Sequence, residues 1–327
     1  MSLLFGKKNM NILILRILEE YTDENHAIQQ QEIVRHLKKQ YDLKVDRRSV
    51  KNNIDALKEL NYEIVTDSKG YRLLSRTFEN SDLRILIDSV LFSKSISKKQ
   101  SKSIIEKLVS MSNRYFVPKV SHVVSLTDLN HTDNKSVLYT VETVNEAISK
   151  NQKISFFYYK YGTDFKLHRK NDVTYIVNPY QMVACNGFYY LIGNYDKYDD
   201  ISHYRIDKMG DVKVLEEKAK KKQEVKGMEH GFNLPQHMAE HIYMYSGDNV
   251  HAIIKADRQI LDELIDWFGK DFRIISETEA ELVFRVKCNE QALFYWAMQY
   301  GTCTTIVGPE NLRMKVKEAA EKMVERY

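Results

Sequence analysis

The segment His237-Met238-Ala239-Glu240-His241 carries two histidines four residues apart with a glutamate beside the second. On a helix that spacing puts both imidazoles on one face. In the H-x-x-E-H pattern of inverzincin metallopeptidases such a pair binds zinc while the glutamate acts as base. Three fixed positions in five also arise by chance, and a peptidase site needs a third ligand on a following helix, where none declares itself. No metal ligand or catalytic residue is therefore assigned, and a zinc-dependent hydrolase stands as the alternative reading. Two other groups of residues suit binding. Arg47, Arg48, Lys51 and Asn52 place long cationic and amide side chains in one short stretch, as contact with phosphates and base edges in a major groove requires. In "SHYRIDKM", strand alternation sends His203 and Arg205 to one face and Tyr204 and Ile206 to the other. The planar, permanently charged guanidinium of Arg205 suits a phosphate, and Tyr158 and Tyr189 suit stacking on a base. On this reading Arg205 faces a ligand and the core does not need it.

These groups must be positioned by several folded units. A chain of 327 residues, 43% of them hydrophobic, can bury more than one core, so two or three domains are expected. No apolar run approaches the roughly 20 residues that cross a bilayer, and the leucines near the start follow helical spacing better than a signal peptide, so a cytoplasmic protein with no membrane partner is expected. Cys185, Cys288 and Cys303 are too far apart for a paired metal spacing and read as small buried hydrophobes. The net charge is only +4, but residues 1–76 hold 14 Lys+Arg against 11 Asp+Glu.

Helical spacing predicts helices at Met10–Tyr21 and about Gln29–Gln40, then a third at Arg47–Leu60 capped by Asp46. In the third, Val50, Ile54 and Leu57 form the inward stripe, opposite the basic face. Residues 62–74 read as a hairpin turning at Asp67-Ser68-Lys69-Gly70, with Lys69 and Arg72 placed to meet phosphates. Three helices and a hairpin spell a winged helix-turn-helix over residues 1–76.

Residues 77–135 read as a helical connector. One helix is capped at Ser81 and Asp82 with an apolar stripe at Leu83, Ile85, Leu86 and Val90, a second covers Ser101–Met111, and 117–128 are a loop or strand. Residues 136–217 read as a helix followed by short aromatic and branched strands that form a small bent sheet or partial barrel. The lysine-rich 216–227 reads as solvated, within a linker at 218–247. Residues 248–327 alternate strands and helices in an α+β domain that ends in an amphipathic helix. The fold class expected is therefore multidomain α+β.

One resemblance is specific. Asn178-Pro179-Tyr180, Asn186-Gly187, Tyr189-Tyr190-Leu191 and Tyr204-Arg205-Ile206-Asp207-Lys208-Met209 resemble the WYL domain of bacterial transcriptional regulators. Tyr189 stands where that family usually has tryptophan, and Tyr175 stands four residues before Pro179, where it often has arginine. The resemblance implies a sequence-specific DNA-binding regulator whose partner is a double-stranded operator. It implies a WYL domain that senses a nucleotide or single-stranded nucleic acid through Tyr158, Tyr189, His203, Tyr204 and Arg205. It also implies a C-terminal extension that makes a homodimer. No cofactor is expected. An RNA-binding or interaction module built on the β domain is a further alternative.

Overall fold

The computed structural model describes residues 9–117, 120, 132, 134–229, 231–270 and 272–327. The chain forms two compact units. One holds the N-terminal residues to Ser93 with Ser97–Asp133, and the other holds Lys94–Ile96 with Asn134–Tyr327.

The first unit opens with α1 (Met10–Tyr21), α2 (Gln30–Tyr41) and α3 (Arg47–Glu59), followed by a hairpin of β1 (Ile64–Asp67) and β2 (Gly70–Leu73). Leu13, Ile14, Ile17 and Leu18 of α1 meet Ile33 and Leu37 of α2 and Val50, Ile54 and Leu57 of α3 in one core, and Ile64 and Leu73 attach the hairpin to it. The expected stripe on α3 is therefore the buried one. Asp46 caps α3 as its carboxylate accepts the Ser49 N–H at 2.7 Å. That bond holds the Asp46 carboxyl below the usual range. A pair of backbone bonds between Ile28 and Tyr71, both 2.9 Å, pins the hairpin to the loop before α2. Gly70 sits at φ +128°, and a Cβ there would overlap the Ile28 carbonyl, so the turn needs glycine.

In the same unit, α4 (Asn80–Phe92) and α5 (Lys98–Ser110) depart from the expected details. The cap of α4 is Glu79, whose N–H donates to Asp82 at 3.0 Å, and the buried stripe is Leu83, Ile87 and Leu91. Ile85 is 66% exposed. Packing against Ile105 and Phe116 selects the four-residue repeat 83/87/91 over the neighbouring apolar positions. Residues 121–128 of the segment expected as loop or strand lie outside the described residues.

The second unit begins with α6 (Val137–Lys150) and the strands β3 (Gln152–Tyr161), β4 (Leu167–Arg169), β5 (Tyr175–Cys185), β6 (Phe188–Tyr195), β7 (Ile201–Arg205) and β8 (Met209–Lys218). The antiparallel sheet runs β4-β3-β5-β6-β7, and β8 pairs with β3. Only the 3₁₀ turn Ile206–Lys208 separates β7, at one edge, from β8 at the other. So short a connection forces the sheet to curl, and the Tyr158 hydroxyl of β3 accepts the Arg205 N–H of β7 at 3.1 Å across the closing seam. The sheet is therefore a curled half-barrel, in the sense expected from its aromatic strands. Val137, Val144 and Ala147 of α6 fill its concave core with Ile154, Phe156, Val177, Leu191 and Tyr204. At Gly193 a Cβ would lie 2.7 Å from the Asn178 carbonyl oxygen, so glycine permits the close β5–β6 approach.

Residues 218–247, expected as a linker, are folded onto the sheet. Val225, Met228 and Met244 pack with Tyr180, Val183 and Ile192, and α7 spans Leu234–Glu240. The lysine run conceals apolar residues spaced widely enough to face inward between the charges. Beyond it, β9 (Asn249–Asp257), α8 (Leu261–Phe268), β10 (Arg273–Glu277), β11 (Glu281–Asn289), α9 (Glu290–Gln299), β12 (Thr304–Gly308) and α10 (Glu310–Val324) make an α+β layer. Its antiparallel sheet is ordered β10-β11-β9-β12, over a core that includes Phe284 and Trp296. No described helix is long and apolar enough to cross a membrane.

Candidate functional site

The first candidate surface is the start of α3. Arg47, Arg48, Lys51 and Asn52 are all exposed, on the side opposite Val50, Ile54 and Leu57. Asn53 turns away, donating to the Ser49 carbonyl oxygen at 2.8 Å. Lys69 is exposed at the hairpin turn. Arg72 is placed differently from expectation: it forms an ion pair with Asp67 and donates to the Glu24 carbonyl oxygen at 3.0 Å. Its charge is neutralised within the hairpin, and its reach goes to bracing the turn.

The second candidate is the β6–β7 side of the curled sheet. Alternation separates the residues of β7 as the sequence suggests: Tyr204 is 8% exposed and lies in the core with Phe156 and Leu191, whereas Arg205 pairs across the strands with Tyr190. The Arg205 guanidinium lies 3.5 Å from the Phe188 ring centroid. It also grips the carboxylate of Asp207 with Nε and Nη2. Its environment is thus an aromatic floor and a buried acid.

The expected aromatic partners do not gather around it. Tyr158 is half-buried, its ring packed among Phe156, Tyr175 and Tyr204, and desolvation raises its phenol to about 12. Tyr204 belongs to the same cluster, so neither ring is free to stack on a base. Tyr189 is 41% exposed, but alternation puts it on the Tyr204 side of β6, away from Phe188 and Tyr190. Phe188 and Asp207 are what the sequence reading missed. Phe188 belongs to the aromatic run of β6, and Asp207 was legible only as the second residue after an arginine that needed a counter-charge.

His203 meets a group that the sequence reading kept apart from it. The ring centroids of His203 and His237 are 5.1 Å apart, those of His203 and His241 5.1 Å, and those of His237 and His241 4.1 Å. One ring nitrogen from each lies within 4.8 Å of the others. The missing third histidine therefore stands upstream, on β7, where a search along later helices could not find it. Burial, reinforced for His203 and His237 by neighbouring imidazoles, pushes all three below the ordinary histidine range, His237 to about 3. The rings are neutral at neutral pH. Glu240, the base of a peptidase reading, is fixed elsewhere: it accepts Gln236 at 2.8 Å and Asn249 at 2.7 Å, and pairs with Lys287 at 3.0 Å.

A third polar centre holds the far end of β5. The Asn178 amide donates to the side chains of Asn194 at 2.9 Å and Asp196 at 3.0 Å, and its carbonyl oxygen accepts the Lys220 N–H at 2.9 Å. Asn178 is fully buried. The Asn-Pro-Tyr stretch thus opens on a fastening between β5, β6 and the segment after β8.

No match was found among curated protein sequences. Among solved structures, the proteasome accessory factor B/C (PafBC) of Arthrobacter aurescens is 12% identical, with 98% of this chain and 49% of that chain covered at a TM-score of 0.31. This chain thus spans about half of that one's length. A CRISPR Cas-related protein is 11% identical, with 77% of this chain and 75% of that chain covered at a TM-score of 0.39. Residues 139–214, which run from α6 through most of β8 and contain the Arg205–Asp207 pair, match the WYL domain family.

Proposed function

We propose that this protein is a DNA-binding transcriptional regulator in which residues 1–76 act as a winged helix-turn-helix and the WYL domain carries the response to an effector. The observation that carries the reading is the joint exposure of Arg47, Arg48, Lys51 and Asn52 on the first turns of α3, ahead of a hairpin that presents Lys69. A recognition helix contacts base edges with its N-terminal residues while a wing meets the backbone. The WYL match supports the regulatory half of the reading.

An effector bearing phosphate, a nucleotide or a single-stranded nucleic acid, would reach Arg205 by competing with Asp207 for the guanidinium. His203 lies on the same face, and of the three tyrosines named from the sequence only Tyr189 offers an exposed ring. The protein acts as a homodimer on a symmetric operator, because a helix-turn-helix reader gains affinity from two half-sites about one helical turn or a multiple apart. The hydrolase reading lacks its base, since the Glu240 carboxylate is engaged by Gln236, Asn249 and Lys287.

Selection of bound fragments from a random DNA pool tests the proposal. The expected result is a two-fold symmetric motif, with light scattering showing a dimer on DNA. Recovery of unenriched sequence at physiological salt would overturn it.

A further inference from the structure

We propose that His203, His237 and His241 form a binding site for one divalent transition-metal ion, with Zn²⁺ the best match. His237 and His241 stand one turn apart at the end of α7, and β7 brings His203 against them from the sheet. Imidazole nitrogen selects zinc, copper, nickel or cobalt over calcium and magnesium, which take oxygen ligands.

The hydrogen bonds around the cluster leave an inward nitrogen on two of the rings. His241 Nδ1 lies 3.0 Å from the His237 carbonyl oxygen, which can only accept, so Nδ1 carries the proton and Nε2 keeps its lone pair. His203 Nδ1 faces the Ser246 hydroxyl at 3.5 Å, which leaves its Nε2 pointing at His237. Outer partners of this kind fix the tautomer of metal-bound histidines.

The inner contacts bring the ring nitrogens together. The Nε2 atoms of His203 and His237 are 2.8 Å apart, a contact that uses one proton between two basic nitrogens. His237 and His241 are 7% and 6% exposed and stack on each other, with Phe232 5.0 Å from the His237 ring. Three nitrogen ligands at zinc bond lengths in a tetrahedral arrangement lie about 3.3 Å from one another. The spacings here, from 2.8 Å to within 4.8 Å, bracket that value, and the stacked His237 and His241 rings, 20° from parallel, would turn apart for both lone pairs to meet one ion. Among the described residues no carboxylate joins the group: Glu240 is held outside it by Lys287 and Asn249. The fourth position is left to water or to a ligand. An ion there would tie α7 to β7, two residues before Arg205.

The test uses the full-length chain, freed of any histidine tag and treated with a chelator. Co²⁺ and Zn²⁺ are then titrated by visible absorption and calorimetry. The expected result is saturation at one ion per chain, with intense ligand-field bands for Co²⁺ and a melting temperature that rises with Zn²⁺. His203→Asn and His237→Gln should each weaken binding by at least about tenfold, whereas His251→Gln, exposed on β9, should not. If either variant fails to fold, the wild-type stoichiometry and Co²⁺ spectrum still decide. Absence of saturable uptake by the wild-type chain, or unchanged affinity in a folded His237→Gln variant, would overturn the site and leave a hydrogen-bonded histidine cluster.

Discussion

Arg205 holds the carboxylate of Asp207 through two hydrogen bonds, Nε to Oδ1 at 3.0 Å and Nη2 to Oδ2 at 2.7 Å, and Asp207 is 1% exposed. The pair sits where the chain crosses from one edge of the curled sheet to the other. A sequence reading that gives Arg205 to a ligand alone expects the fold to survive its removal. The geometry expects the reverse, because truncation leaves a buried carboxylate without its counter-charge. Arg205→Ala should destabilise the WYL domain by about 3–5 kcal/mol in urea unfolding, and a double variant that also replaces Asp207 with Leu should recover part of the loss. A loss under about 1 kcal/mol in the single variant would show that the pair is dispensable and return Arg205 to a ligand role.

Arg47→Ala with Arg48→Ala should leave the melting temperature unchanged, since both side chains are exposed, and weaken operator binding at fixed salt. A lost base contact costs about 1–3 kcal/mol and relaxes the sequence preference at one position, whereas a lost phosphate contact lowers the salt slope by about 1. Equal affinity of the double variant and the wild type would remove α3 from the interface.

The two cations of the hairpin should separate. Lys69→Ala is expected to reduce the salt slope without affecting folding. Arg72→Ala breaks the ion pair with Asp67 and the bond to the Glu24 carbonyl oxygen, so its effect should appear as faster proteolysis or hydrogen exchange in β1 and β2. Identical behaviour of the two variants in both assays would contradict the assignment.

Acid should unfasten β5 from β6. Burial alone would raise the Asp196 carboxyl, but hydrogen bonds from Asn178 and Lys153, with the charge of Lys153, outweigh it and hold the group below the usual range. The unfolded chain therefore binds this proton more readily, and stability rises with pH across the interval. Asp196 contributes its full share above the unfolded value of about 4, and the share is lost as pH falls through the lower, folded value. Asp196→Asn should flatten the stability curve below about pH 4. A variant curve parallel to the wild type in that interval would show that another carboxylate dominates.

Asn178→Ala removes the amide that fastens Asn194, Asp196 and the Lys220 N–H at a fully buried position. Leaving these groups without partners should cost about 1–3 kcal/mol, read as a shift in the urea midpoint at constant slope. Recovery by Asn178→Asp is not expected, because a second carboxylate would face Asp196.

What the sequence determined by itself is local. The stripe Val50/Ile54/Leu57 and the Asp46 cap define α3, because a helix repeats every 3.6 residues and its end groups are satisfied within one turn. The Gly70 turn and the alternation that sets Tyr204 against His203 and Arg205 are equally near-neighbour facts. The same rule gives an amphipathic stripe for α4 but not its phase, since Leu83, Ile85, Leu86 and Ile87 are all apolar and only contact with Ile105 and Phe116 decides which face inward.

The tertiary structure decided who meets whom. His203 and His237 are 34 positions apart, and no periodicity links a strand residue to a later helix; the fold of 218–247 back over β6 and β7 brings them together. Curling of the sheet likewise packed Tyr158 edge-on against Tyr204, and the β6–β7 register put Tyr189 on the face opposite Arg205. Such encounters are set by the summed burial of many apolar side chains, in which no single residue carries enough energy to announce its partner.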